Sequence, residues 1–139
     1  MGTVQKSLRI PGDVAQAIAE AAEAAGRDFS AMANELLVEA VKMRRCPGVV
    51  FADGPSGRRA RIAGTGLDVW EIIAAYQSLD RDFARLHAAY HWLSELQLRA
   101  ALGYATAYPP EIEQQIARNA VWTPERLAER YPSLVAPRP

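Results

Sequence analysis

Eight residues near the amino end, Thr3-Val-Gln-Lys-Ser-Leu-Arg-Ile10, alternate like a β-strand, and no second strand-like run follows until Val49. Val4, Leu8 and Ile10 fall on one face of that strand, with Lys6 in the same register, while Gln5, Ser7 and Arg9 fall on the other. Pro11-Gly12 ends the strand, and from Asp13 the apolar spacing becomes helical through Val14, Ile18, Ala21, Ala22 and Ala25. Gly26 stands where a helix C-terminal glycine belongs. Asp28 is the expected N-cap of a second helix that runs through Met32, Leu36, Leu37, Ala40 and Val41 to Arg44-Arg45. A lone strand cannot satisfy its own backbone groups, and so short a module makes a poor core by itself, so a second chain is expected to supply the other half. Paired antiparallel, two copies would set Val4, Leu8 and Ile10 on their helices and project Gln5, Ser7 and Arg9 from a two-stranded ribbon of a width that fits the DNA major groove.

This segment, with Ser7-Leu-Arg-Ile-Pro-Gly-Asp-Val14 and Ala25-Gly-Arg-Asp-Phe-Ser-Ala-Met32, resembles the ribbon-helix-helix family of DNA-binding dimers, the Arc, MetJ and CopG type, over residues 3 to 45. The resemblance implies that Gln5, Ser7 and Arg9 face base edges, and that the helix start at Phe29-Ser30 holds a phosphate through its free N–H groups.

Net charge gives no whole-molecule signal, because 16 basic and 16 acidic side chains cancel. The charge is uneven, however: residues 44 to 61 hold Arg44, Arg45, Arg58, Arg59 and Arg61 against the single acid Asp53. This cluster reads either as a phosphate-contacting patch or as a solvated hairpin beside a helix end, with about equal weight.

Cys46-Pro-Gly48 breaks the helical pattern and opens a second module. Val49-Val-Phe51 and Arg58-Arg-Ala-Arg-Ile62 read as short strands joined by the turn-forming Ala52-Asp-Gly-Pro-Ser-Gly57. Helical spacing follows in three stretches: Val69, Ile72, Ile73 and Tyr76; Phe83, Leu86 and Tyr90; then Leu96, Leu98, Leu102 and Ala105. Pro109-Pro110 ends the last of these and opens a fourth helix through Ile112 and Ile116. Pro47-Gly-Val-Val50, Arg61-Ile-Ala-Gly-Thr-Gly-Leu-Asp-Val-Trp-Glu-Ile-Ile73 and Leu98-Arg-Ala-Ala-Leu-Gly-Tyr-Ala105 together resemble the antitoxin-associated, VapB-like family called domain of unknown function four-three-three, over about residues 46 to 117. That resemblance implies a compact trihelical domain of helix-turn-helix type and a PIN-like ribonuclease toxin as partner. Gly66-Leu67-Asp68 stands where that family tends to have Arg, an aliphatic residue and Pro.

Residues 119 to 139 have no core of their own. Trp122-Thr-Pro-Glu125 contains a helix start, and Trp122, Leu127 and Tyr131 beside Arg126 and Arg130 are candidate toxin contacts. Docking of this tail on its own domain suits the same residues. The resemblance favours the partner, with Arg126 or Arg130 entering the acidic site of a PIN-like nuclease.

Catalytic readings are weaker. His87 and His91 share a helix face, but Ala88 stands where a zinc helix of the His-Glu-x-x-His type needs Glu, and a third ligand is missing. Cys46 has no local base and reads as a linker cysteine, and as the only cysteine it excludes an internal disulfide. Gly64-Thr-Gly66 lacks the lysine of a phosphate loop, and Asp80, Asp82, Glu111 and Glu113 read as solvated surface carboxylates. No enzyme, metal or cofactor is expected, and neither a spanning helix nor a signal peptide; the expected location is the cytoplasm.

The expected architecture is mainly α with short β: a ribbon-helix-helix dimer over 1–45, a hairpin plus helix-turn-helix-like trihelical domain over 46–118, and a partner-binding or flexible tail over 119–139. The leading functional expectation is the antitoxin of a type II toxin-antitoxin pair that represses its own operator as a homodimer or a higher oligomer. A stand-alone dimeric regulator and a protein-binding adaptor without DNA binding are the alternatives.

Overall fold

The computed structural model describes residues 2–54, 57–120 and 129–130. It is mainly helical, with six helices and one two-stranded antiparallel sheet among the described residues. The chain divides into two compact units, Met1–Arg44 and Arg45–Pro139.

In the first unit, residues 2–11 carry no regular secondary structure, so the expected strand over Thr3–Ile10 is not formed in the single chain. The reason is physical: a strand exists only as half of a ladder, and the ladder among the described residues joins two later segments. Helix α1 spans Gly12–Ala25 and α2 spans Phe29–Arg45. Gly26 closes α1 in the left-handed region at φ 64°, which an L side chain resists. Its amide donates to Glu23 O at 3.1 Å and that of Arg27 to Ala22 O at 2.9 Å, the paired bonds of a Schellman ending. Asp28 caps α2, its Oδ1 accepting the Ala31 amide at 2.8 Å. Arg27 is held back onto α2 by Glu35 at 2.9 Å.

The second unit is built around a closed core. Strands β1 (Val49–Gly54) and β2 (Gly57–Ile62) pair from Val49↔Ile62 to Gly54↔Gly57, so the hairpin is tighter than the six-residue turn expected. Residues 55 and 56 between them lie outside the described residues. Four helices follow: α3 (Val69–Ser78), α4 (Phe83–Ala89), α5 (Glu95–Ala107) and α6 (Pro109–Ala120). Their starts obey the capping rules: Asp82 accepts from the Arg85 amide at 3.2 Å, and Ser94 and Gln97 exchange bonds at 3.1 and 2.9 Å. Helix α3 packs on α5, α6 and β2, and Ile62, Val69, Ile72, Leu86, Leu98, Tyr104 and Ile112 are fully buried there. Each aliphatic side chain among them contributes about 1.5–3 kcal/mol by leaving water. Cys46 is buried in this core, which corrects its reading as a linker cysteine. A linker position says nothing of where the first residue of a domain packs. Gly48, at φ 92°, lets the backbone pass so close to α5 that a Cβ there would sit 3.0 Å from that of Ala100.

Candidate nucleic-acid interface

The two units differ sharply in how they treat apolar side chains. Among the described residues of the first unit, only Ala22, Met32 and Glu39 are buried. Val4 is 78% exposed, Leu8 65% and Leu37 54%, and Val14, Phe29, Leu36 and Val41 are exposed too. The spacing of Phe29, Ala33, Leu36, Leu37 and Ala40 makes one stripe along α2, and this stripe faces a groove of about 740 Å³. Val14 and Ile18 of α1 and residues 6 to 11 complete its walls.

Of the residues expected to contact DNA, Ser7, Arg9, Phe29 and Ser30 line this groove. Gln5, Ser7 and Arg9 are all exposed, and Ser7 and Arg9 lie on the groove wall. Phe29 and Ser30 form the first turn of α2 and also line it. The Asp28 carboxylate already takes the Ala31 amide, so the helix start has an anion of its own, and only the amides of Phe29 and Ser30 fall outside the hydrogen bonding of the helix. Arg44 and Arg45 are exposed in the last turn of α2.

The hairpin arginines separate into two kinds. Arg58 is exposed and faces Asp53, its cross-strand neighbour, at 3.4 Å. Arg59 and Arg61, two apart and hence on one face of β2, are both turned onto Asp68. Arg61 Nε donates to Asp68 Oδ1 at 3.1 Å, Arg59 Nε lies 3.9 Å from Oδ2, and Trp70 Nε1 donates to Oδ2 at 3.2 Å. The three charged side chains keep only 12–28% of their exposure. Asp68 is the N-cap of α3, and its amide donates to Glu71 Oε2 at 2.9 Å. In the sequence Asp68 stands out only as a departure from the family pattern, not as a cap or an arginine partner. The available signal was the Asp-x-x-Glu spacing before an apolar run, which marks a helix start.

Glu111 likewise departs from its reading as a solvated carboxylate. It accepts a 2.6 Å hydrogen bond from the hydroxyl of Tyr104, which is fully buried. Burial and the adjoining Glu111 carboxylate push the Tyr104 hydroxyl far above the usual phenol range, so it stays protonated. Phe51 of β1 meets its ring edge-on at 6.2 Å.

His87 bonds through Nε2 to Leu93 O at 3.1 Å, and His91 lies edge-on to Trp92 at 5.2 Å. Both, with Glu95, border a shallow surface concavity, but no group of three potential ligands able to hold a metal occurs among the described residues. In the tail, Trp122, Arg126, Leu127 and Tyr131 lie outside the described residues, and Arg130 is helical and exposed. No helix among the described residues is long and apolar enough to cross a membrane.

No family model, no curated protein and no solved structure matches this chain.

Proposed function

We propose that the chain is a DNA-binding antitoxin: a dimeric repressor whose N-terminal segment reads its own operator and whose C-terminal part holds a PIN-like ribonuclease toxin. The observation that carries the DNA-binding half is the uncovered apolar stripe of the first unit. Val4 and Leu8 are exposed, Leu8 lines a groove walled by Val14, Ile18, Leu36 and Leu37, and water is a poor occupant for such a surface. The occupant we assign is a second copy. Its residues 3 to 10 supply the missing strand, so both backbones are satisfied and both stripes close into one core. Gln5, Ser7 and Arg9 of each copy then line the outer face, where Gln5 and Ser7 hydrogen-bond base edges and Arg9 favours guanine. Phosphate contacts fall to the start of α2 and to exposed Arg58, because Arg59 and Arg61 already serve Asp68.

The toxin half rests on the resemblance of residues 46 to 117 to an antitoxin-associated family. It is supported by the presence there of a hairpin followed by helices closing on one core.

Light scattering of the purified chain across a dilution series, with anisotropy titration of the DNA upstream of its gene against random duplex, tests the first half. A dimer with sequence-selective, steeply salt-dependent binding is expected. A dimer silent on both DNAs would leave the protein-binding adaptor in its place, and a monomer at every concentration, silent on both DNAs, would remove the pairing as well. Adding the product of the adjacent gene tests the second half: full nuclease activity retained in the mixture removes the antitoxin reading.

A further inference from the structure

Lys6 is the one residue of the inward register that is not apolar, since Val4, Leu8 and Ile10 share it. In the first unit Lys6 lines the apolar groove, Arg9 lines it as well, and among the described residues no Asp or Glu does. An ammonium on a four-carbon stem can lie along apolar surface only while its head stays in water or meets an anion. When a second copy closes the groove, Arg9 turns to the outer face, but two Lys6 side chains come into one interface without an acidic partner from the groove walls. Desolvation and like-charge repulsion then oppose the same contact that the apolar stripe favours.

We propose that Lys6 makes the pairing of two copies conditional on duplex DNA. Alone the chain pairs with itself weakly; phosphates running beside the paired segments supply the missing negative charge and hold the pair together. The long stem lets the Lys6 head reach the rim of the ribbon, where the backbone of a bound duplex passes. Lys6 thus limits self-association instead of reading sequence. The inference rests on the pairing proposed above.

Sedimentation of the full chain tests it, using wild type, Lys6→Met and Lys6→Gln, each with and without a duplex carrying the DNA upstream of the gene. Without DNA, both variants are expected to dimerise at a protein concentration lower than wild type by about tenfold or more. With saturating duplex all three are expected to be dimers. Variants that dissociate at the wild-type concentration, or above it, overturn the role of Lys6 and leave the dimer standing. A wild type that is already a tight dimer without DNA, unmoved by either substitution, does the same. Monomers in every sample, duplex included, overturn the pairing and this inference together. Helical circular dichroism identifies a variant that has failed to fold, and Lys6→Gln, which removes the charge but keeps a polar side chain, decides if Lys6→Met does.

Discussion

The Tyr104 hydroxyl lies 2.6 Å from Glu111 Oε2 and joins α5 to the first turn of α6 across the short break at Tyr108. It gives a fully buried phenol its partner and a half-buried carboxylate its donor. Tyr104→Phe leaves Glu111 without that donor and is expected to cost about 1–3 kcal/mol, read as a lower urea midpoint at neutral pH.

Burial of the hydroxyl, together with the same bond, sets an alkaline limit. Because the hydroxyl's pKa is raised in the folded chain, the native state holds its proton more tightly than the unfolded state does. Stability is therefore unaffected by this group below the ordinary phenol value of about 10 and falls as pH rises above it. Urea midpoints should drop above that pH, and the drop should shrink in Tyr104→Phe. An unchanged drop in that variant would assign it to other groups.

Asp68 joins β2 to α3 by receiving Arg61, Trp70 and, at longer range, Arg59. Asp68→Ala removes the Arg61 pair, the Trp70 hydrogen bond and the longer Arg59 contact, and should cost about 2 kcal/mol, the figure for a buried pair reduced for residual solvent contact. Arg58→Ala breaks the exposed pair with Asp53 and should change thermal stability by less than about 1 kcal/mol. Equal melting temperatures for the two variants would contradict the division of the hairpin arginines.

Gly48→Ala asks for a side chain at positive φ, 3.0 Å from the Ala100 Cβ. The expected loss is about 1–3 kcal/mol, and it should appear in the core transition of the second unit. Combining it with Ala100→Gly should recover the steric part and leave the backbone strain.

On DNA, Arg9→Ala is expected to cost about 1–3 kcal/mol on the specific duplex and to relax base preference. Arg58→Ala should weaken specific and random duplexes alike and flatten the salt slope. Equal losses on both DNAs for Arg9→Ala would count against base readout by the N-terminal segment.

Local rules carried much of the fold. The α1 ending at Gly26, the Asp28 cap, both hairpin strands and the four later helices could be read from spacing and capping, because each is decided by neighbours in sequence. What could not be read depends on distant contact. Asp68 stood out only as a departure from a family pattern, and its partners appear only where β2 places Arg59 and Arg61 against it. Glu111 looked solvated until α5 delivered a buried tyrosine to it, and Cys46 looked like linker until the core closed over it. The strand at residues 3 to 10 failed for a related reason: its alternation is visible, but its hydrogen bonds belong to no partner within one chain.

The uneven burial of the two units gives the chain two different molecularities. The second unit closes its core from residues of one chain, so its folding is a first-order event whose midpoint does not depend on dilution. If a second copy covers the apolar stripe of the first unit, that half gains its stability by mass action, and its midpoint moves with the logarithm of total protein. Calorimetry at two concentrations a hundredfold apart should then show one fixed transition and one that travels. A single gene product would thus carry a thermostat in one half and a head-count in the other.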